Sequence, residues 1–201
     1  MSQLSQIDFS SPAMIIGIVV VVAVIAVVIA VIVNVEKRKS ARLRSRFGEE
    51  YDLVLRETGS RRKADAVLES RVKRIEHLKI RDLTEAERAR YLVQWQDVQV
   101  RFIDHPRGAV TEADELVESV LIARGFPTSE FDQRAADISV HHAELVGPYR
   151  HASLIASRAG RNEATTEELR GALIEYRSLF DSLLGVSVPV ERAQVERRLA
   201  S

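Results

Sequence analysis

Apolar residues form one unbroken stretch near the N-terminus and recur at helical intervals through the rest of the chain. Residues 13 to 33 contain no charged or strongly polar side chain. A helix of this length is about 31 Å long, at about 1.5 Å per residue, and this matches the apolar thickness of a bilayer. The pattern predicts a transmembrane helix over residues 13 to 35, preceded by a short tail, residues 1 to 12.

Two other interpretations of this stretch are a cleaved signal peptide and a buried core helix. A signal peptide begins with basic residues and has a shorter apolar segment, whereas Asp8 is the only charged side chain before the span. A soluble helix of this length normally keeps one polar face. Both comparisons favour a membrane anchor.

The remaining sequence shows helical spacing of apolar residues without the alternation typical of strands. It predicts an all-α fold, with one transmembrane helix followed by a soluble bundle of about six helices over residues 47 to 185. The first of these helices is expected to continue from the span towards Leu55. Residues 186 to 201 have few large apolar side chains and are expected to form a mobile tail.

Local signals place several helices within this domain. Thr84 with Glu87, and Thr165 with Glu168, have the spacing of capping boxes. Four residues are expected to form the buried side of the helix that contains the only tryptophan: Leu92, Trp95, Val98 and Phe102. Further helices are expected to start near Thr111 and near Pro148.

Charge is balanced over the whole chain, with 29 basic and 29 acidic residues, but it is unevenly distributed. A basic juxtamembrane segment over residues 36 to 46 contains six cations: Lys37, Arg38, Lys39, Arg42, Arg44 and Arg46. By the positive-inside rule these cations place the C-terminal domain in the cytoplasm and the N-terminus outside. They are candidates for contact with anionic lipid as well as topogenic signals. Residues 47 to 201 carry 23 basic and 27 acidic side chains, which disfavours nucleic acid as a partner.

The sequence offers little enzymatic chemistry. It has no cysteine, no glycine-rich phosphate loop and no zinc-protease motif, so we predict no catalytic residue, cofactor or metal. His141, His142 and Glu144 are the best metal candidates, but adjacent histidines point to different helix faces and a third ligand at helical spacing is missing. A solvated or capping role fits these three residues better.

Several stretches carry a resemblance: RFGEEYD (46 to 52), ERARY with the following W and VQ-RF (87 to 102), RGFP (124 to 127), RAADISV (134 to 140) and ELRGALIEYRSLFD (168 to 181). Together they resemble an uncharacterised bacterial family of small proteins with one N-terminal membrane helix and a helical cytoplasmic region. The resemblance implies a bacterial inner-membrane protein and brings no activity. A carboxylate and a proline often stand in that family where this chain has His141 and His142.

Three functional hypotheses follow from the sequence. The first is a membrane-tethered interaction or scaffold protein whose domain binds a protein partner. Self-association is also possible through the small residues Ala23, Ala26 and Ala30 of the span. The second is a ligand-binding or enzymatic helical domain with an unfamiliar site. The third is the sensing of anionic lipid by the basic juxtamembrane segment.

Overall fold

The computed structural model describes residues 12–185, and these residues form eight α-helices with no strand. The helices are α1 (Pro12–Phe47), α2 (Glu49–Thr58), α3 (Arg61–Glu76), α4 (Glu85–Asp104), α5 (Pro106–Ala123), α6 (Phe131–Ile138), α7 (Ala143–Gly160) and α8 (Thr166–Leu183). The predicted all-α class is confirmed, with seven described helices after α1 where the sequence predicted about six. The predicted C-terminal tail and nearly all of the N-terminal one lie outside the described residues.

The described residues divide into two compact units, 12–43 and 44–185. In the first unit, α1 is long and apolar enough to cross a membrane. Its large apolar side chains between Val19 and Val35 are 42% to 62% exposed. A core helix of a soluble protein would bury most of this surface, so the exposure agrees with the pattern of a membrane-spanning helix.

Gly48 separates α1 from α2, so the prediction of one continuous helix towards Leu55 is wrong. Gly48 has a φ of 52°, a conformation that costs glycine little because it lacks Cβ. Its backbone N–H donates to the carbonyl of Arg44 at 2.9 Å and closes the last turn of α1. α2 ends at Thr58, which is followed by Gly59 at a φ of 66°.

The core of the second unit is built around fully buried aromatic side chains. Trp95 of α4 stacks on Phe180 of α8, with ring centroids 4.7 Å apart. Tyr149 of α7 meets the edge of Tyr176 of α8 at 6.1 Å. These contacts join three helices through large apolar surfaces that dominate the burial energy of a small domain.

The buried face of α4 is displaced from the predicted one. Tyr91, Trp95 and Val98 are buried, whereas Leu92 and Phe102 are only half-buried. The buried residues are spaced by four and then three positions, as on one side of a helix. At the N-terminal end, the buried residue is Tyr91 instead of the predicted Leu92. The predicted burial of Leu92 and Phe102 is therefore wrong, while that of Trp95 and Val98 is confirmed.

Helix starts were predicted best where a side chain caps the helix. Thr84 and Thr165 both form complete capping boxes, with Glu87 and Glu168 respectively. Two other predicted starts are wrong: α5 begins at Pro106 rather than near Thr111, and α7 begins at Ala143, five residues before Pro148. Proline suits the first position of α5, because the amide hydrogen that it lacks would have no partner there.

Candidate functional site

The six cations of the basic juxtamembrane segment are divided between the two units. Lys37, Arg38, Lys39 and Arg42 belong to the first unit, and Arg44 and Arg46 to the second. Arg44 forms an ion pair with Asp52 at 2.8 Å. Arg46 donates from Nε to the carbonyl of Val140 at 3.2 Å. The sequence did not predict that these last two arginines contribute to contacts inside the helical domain.

His142, one of the two histidines considered as metal ligands, contacts a side chain of another helix. Nδ1 of His142 lies 2.9 Å from the Ser182 hydroxyl, which connects the turn before α7 to the end of α8. Burial and the nearby Arg124 lower the pKa of His142, so it is neutral near pH 7. In the described part of the chain, no three His, Asp or Glu side chains lie close enough together to hold a metal ion.

A buried ionic network joins α2, α3 and α7. The Glu50 side chain is 3% exposed and pairs with Arg71 and Arg150, each at 2.6 Å. Burial alone would raise the pKa of Glu50, but hydrogen bonds from Arg150 and Arg71 outweigh burial and lower it. Since both arginines engage the carboxylate, the network stabilises the packing and offers no free anion site.

A second polar group lies between α5, α7 and α8. The Asp114 carboxyl interacts with the Tyr176 hydroxyl, yet Asp114 Oδ1 and Tyr176 Oη both lack a hydrogen bond of normal geometry. Burial raises the pKa of Asp114 and also that of Tyr176. Tyr149 accepts a hydrogen bond from Arg134 at 2.7 Å, and burial raises its pKa to about 12. The two phenols are therefore protonated near pH 7.

Two of the cavities in the described part of the chain lie beside α5. One has a volume of about 10 Å³ between α5 and α6, which is room for one water molecule. The other is an open groove of about 330 Å³, where residues 104–108 face the start of α8. Neither of these cavities is lined by Asp114 or Tyr176, so the second polar group contributes to neither of them.

The outer side of α4 carries three exposed β-branched apolar residues. Val93, Val100 and Ile103 are 57%, 66% and 80% exposed, and we call these three residues the α4 apolar face. β-Branched side chains lower helix propensity, so local helix stability does not account for them. Ile103 directly precedes the residues that line the open groove. Val93, Val100 and Ile103 also lie outside the buried stripe predicted for this helix, but no role was predicted for them from the sequence.

The spacing of these three residues is the signal that could have found the face. Positions 93, 100 and 103 are separated by seven and three residues, as are residues on the seam of two packed helices. No protein-family model, curated protein or solved structure matches the chain. Function is therefore argued from the surfaces themselves.

Proposed function

We propose that this chain is a single-pass membrane protein whose helical domain binds a protein partner at the membrane surface. The observation that carries the proposal is α1, a long helix whose large apolar side chains from Val19 to Val35 are exposed. Such a surface is stable in hydrocarbon and unfavourable in water. Tethering the domain raises the effective concentration of any partner in the same membrane.

The charge distribution supports a cytoplasmic position for the domain, in the inner membrane of a bacterium. Lys37, Arg38 and Lys39 directly follow the apolar stretch, and Asp8 is the only charged side chain before it. The chain has no cysteine, so single cysteines report topology without background. In intact cells, a membrane-impermeant maleimide should label Ser5→Cys and spare Ser70→Cys, and the reverse pattern would contradict the orientation.

The α4 apolar face supports protein binding by the domain. Three apolar residues at seam spacing are suited to packing against an apolar helix of another protein. The open groove beside Ile103 adds concave surface to the same end of α4. We therefore propose a partner, different from this chain, that presents an apolar helix to this face.

Purification from the native membrane tests the proposed function. Full-length tagged protein is extracted in mild detergent, and co-purifying proteins are quantified by mass spectrometry against the variant Val100→Ser/Ile103→Ser. The matched control, Leu154→Ser/Ile174→Ser, removes two apolar residues that are 57% and 58% exposed on α7 and α8. A stoichiometric protein that is lost only from the α4 variant supports the proposal. Its retention by the α4 variant, or recovery of the chain alone, contradicts it.

One observation favours ligand binding as a second candidate function. The groove of about 330 Å³ is within the size range of small-molecule sites, and His105, Arg107 and Thr166 line it with polar groups. A ligand bound there would raise the unfolding temperature of the full-length protein. No shift with any member of a broad metabolite panel would count against this candidate.

A further inference from the structure

The exposed surface of α3 is mainly cationic, and Glu69 is a half-buried carboxylate of the same helix. Among the exposed residues of α3, Glu76 in the last turn is the only carboxylate. We define the α3 basic face by five exposed cations, one in the last turn of α2, three around the first turn of α3 and one further along α3: Arg56, Arg61, Arg62, Lys63 and Lys73. Ala66, Val67 and Ser70 lie between these cations and are small enough to let a flat surface approach.

The cations of the α3 basic face have no role in holding the described domain together. None of the five forms an ion pair within residues 19–185, whereas Arg71 and Arg74 of the same helix pair with Glu50 and Asp137. Three of the five lie in the first turn of α3, where positive charge opposes the helix dipole. Neither tertiary packing nor local helix stability explains this cluster of charge.

Within the helical domain, the net charge of the residues up to Arg81 differs from that of the residues after it. Residues 44–81 contain 11 basic and 7 acidic side chains, a net charge of +4. Residues 82–185 contain 11 basic and 18 acidic side chains, a net charge of −7. An anionic surface attracts the first part and repels the second, so it favours one orientation of the domain.

We propose that the α3 basic face binds the anionic phospholipid head groups of the membrane in which α1 is anchored. The inference rests on the proposed anchor, because tethering brings the domain within reach of the lipid surface. It differs from a role of the juxtamembrane segment, since these cations belong to folded α2 and α3. Each cation near an anionic surface strengthens binding about fivefold, so three together contribute on the order of 100-fold.

Fluorescence in nanodiscs tests this inference on the full-length chain. A fluorophore is attached at Ser70→Cys on α3 or, as the control position, at Gln99→Cys on α4. The nanodiscs contain a nitroxide head-group quencher in phosphatidylcholine, with or without phosphatidylglycerol. Quenching at position 70 should increase with phosphatidylglycerol, and that at position 99 should not. Salt at about 1 M should reverse the increase, because the screening length falls to about 3 Å.

Two matched triple variants identify the residues responsible. Arg61→Gln/Arg62→Gln/Lys63→Gln should lower the ratio of lipid-bound to free domain by about 100-fold. Arg90→Gln/Arg161→Gln/Arg170→Gln makes the same charge change at exposed sites on other parts of the domain and should leave the ratio unchanged. The inference would be overturned if both variants changed this ratio equally, or if quenching at position 70 did not depend on phosphatidylglycerol. Neither result would contradict the proposed membrane anchor. A chain that does not co-elute with either nanodisc contradicts the anchor and this inference together.

Discussion

Helices α3 and α4 follow one another along the chain and have similar lengths, 16 and 20 residues, but they join the domain by different chemistry. α3 uses ion pairs, with Arg71 held by the buried Glu50 and Arg74 by Asp137. α4 uses aromatic packing, with Trp95 fully buried against Phe180. Their outer sides show the same contrast between charged and apolar residues: the outer side of α3 is mainly cationic, and that of α4 is apolar.

We propose that this difference separates folding from binding in a small helical domain. The inward residues of each helix are buried or ion-paired, whereas Val93, Val100 and Ile103 on the outer side of α4 are exposed. Charges on α3 suit a lipid surface, and β-branched side chains on α4 suit another protein. If this division holds, inward substitutions change stability, and outward ones change binding alone.

Trp95→Ala should have the largest effect on stability. Removing this buried ring leaves a cavity against Phe180 and should lower the free energy of unfolding by about 4 kcal/mol. Circular dichroism of the full-length protein in detergent measures the loss, since the variant has no tryptophan. Val93→Ala on the outer side should change stability by less than about 0.5 kcal/mol, and a similar loss in both variants would remove the inward-outward distinction.

Glu50→Gln should have the next largest effect, about 3 kcal/mol, because it leaves Arg71 and Arg150 without a buried counter-charge. Unfolding in denaturant can be followed by the fluorescence of Trp95, the only tryptophan. Glu49→Gln, at an exposed neighbouring position, should be close to neutral. A loss at Glu50 no greater than at Glu49 would mean that the ion pairs of α3 do not stabilise the domain.

The pH dependence of this loss follows from the lowered pKa of Glu50. A carboxyl whose pKa is lower in the folded state contributes stability above its ordinary value of 4.5, and this stability is lost as pH falls through the folded pKa. The difference between wild type and Glu50→Gln should thus be greatest near pH 7 and shrink in acid. If the difference in free energy of unfolding between wild type and Glu50→Gln grew below pH 4.5, the pKa of Glu50 would not be lowered in the folded state.

Thr84→Ala should cost about 1 kcal/mol, because the threonine hydroxyl caps α4 by accepting from the Glu87 amide. Ser60 occupies the same position before α3 but makes no side-chain cap. Ser60→Ala should therefore cost clearly less in the same unfolding experiment. Equal costs would indicate that the capping box does not set the start of α4.

The smallest effect on stability is expected at the α4 apolar face. Ile103 is 80% exposed, so Ile103→Ser should change the free energy of unfolding by less than about 0.5 kcal/mol. Denaturant unfolding of the full-length protein gives this value. Loss of the partner without loss of stability would separate binding from folding, whereas a destabilisation above 1 kcal/mol would assign Ile103 a structural role.

Features governed by neighbouring residues were predicted from the sequence. The apolar helix and both capping boxes each depend on residues of a single helix and its cap. All three features are present in the structure. The break at Gly48 was missed because apolar and polar spacing alone does not show which glycine adopts a positive φ.

The contacts between distant residues could not be predicted. Glu50 and Arg150 are 100 positions apart, and only the packing of α2 on α7 brings them together. The same limit applies to the surfaces, because the outer face of α4 is defined by which residues pack inward. Once Tyr91, Trp95 and Val98 are known to be buried, the exposure of Val93 and Val100 follows from helical geometry.

Site-specific photo-crosslinking in native cells tests the division between α3 and α4 most directly. A photoreactive amino acid is placed at Ile103 on α4 or at Ser70 on α3 of the full-length chain, and adducts are identified by mass spectrometry. We predict a discrete protein adduct from position 103, and lipid without a protein adduct from position 70. The same adducts from both positions, or none from position 103, would contradict the proposal that the α4 apolar face binds a protein partner.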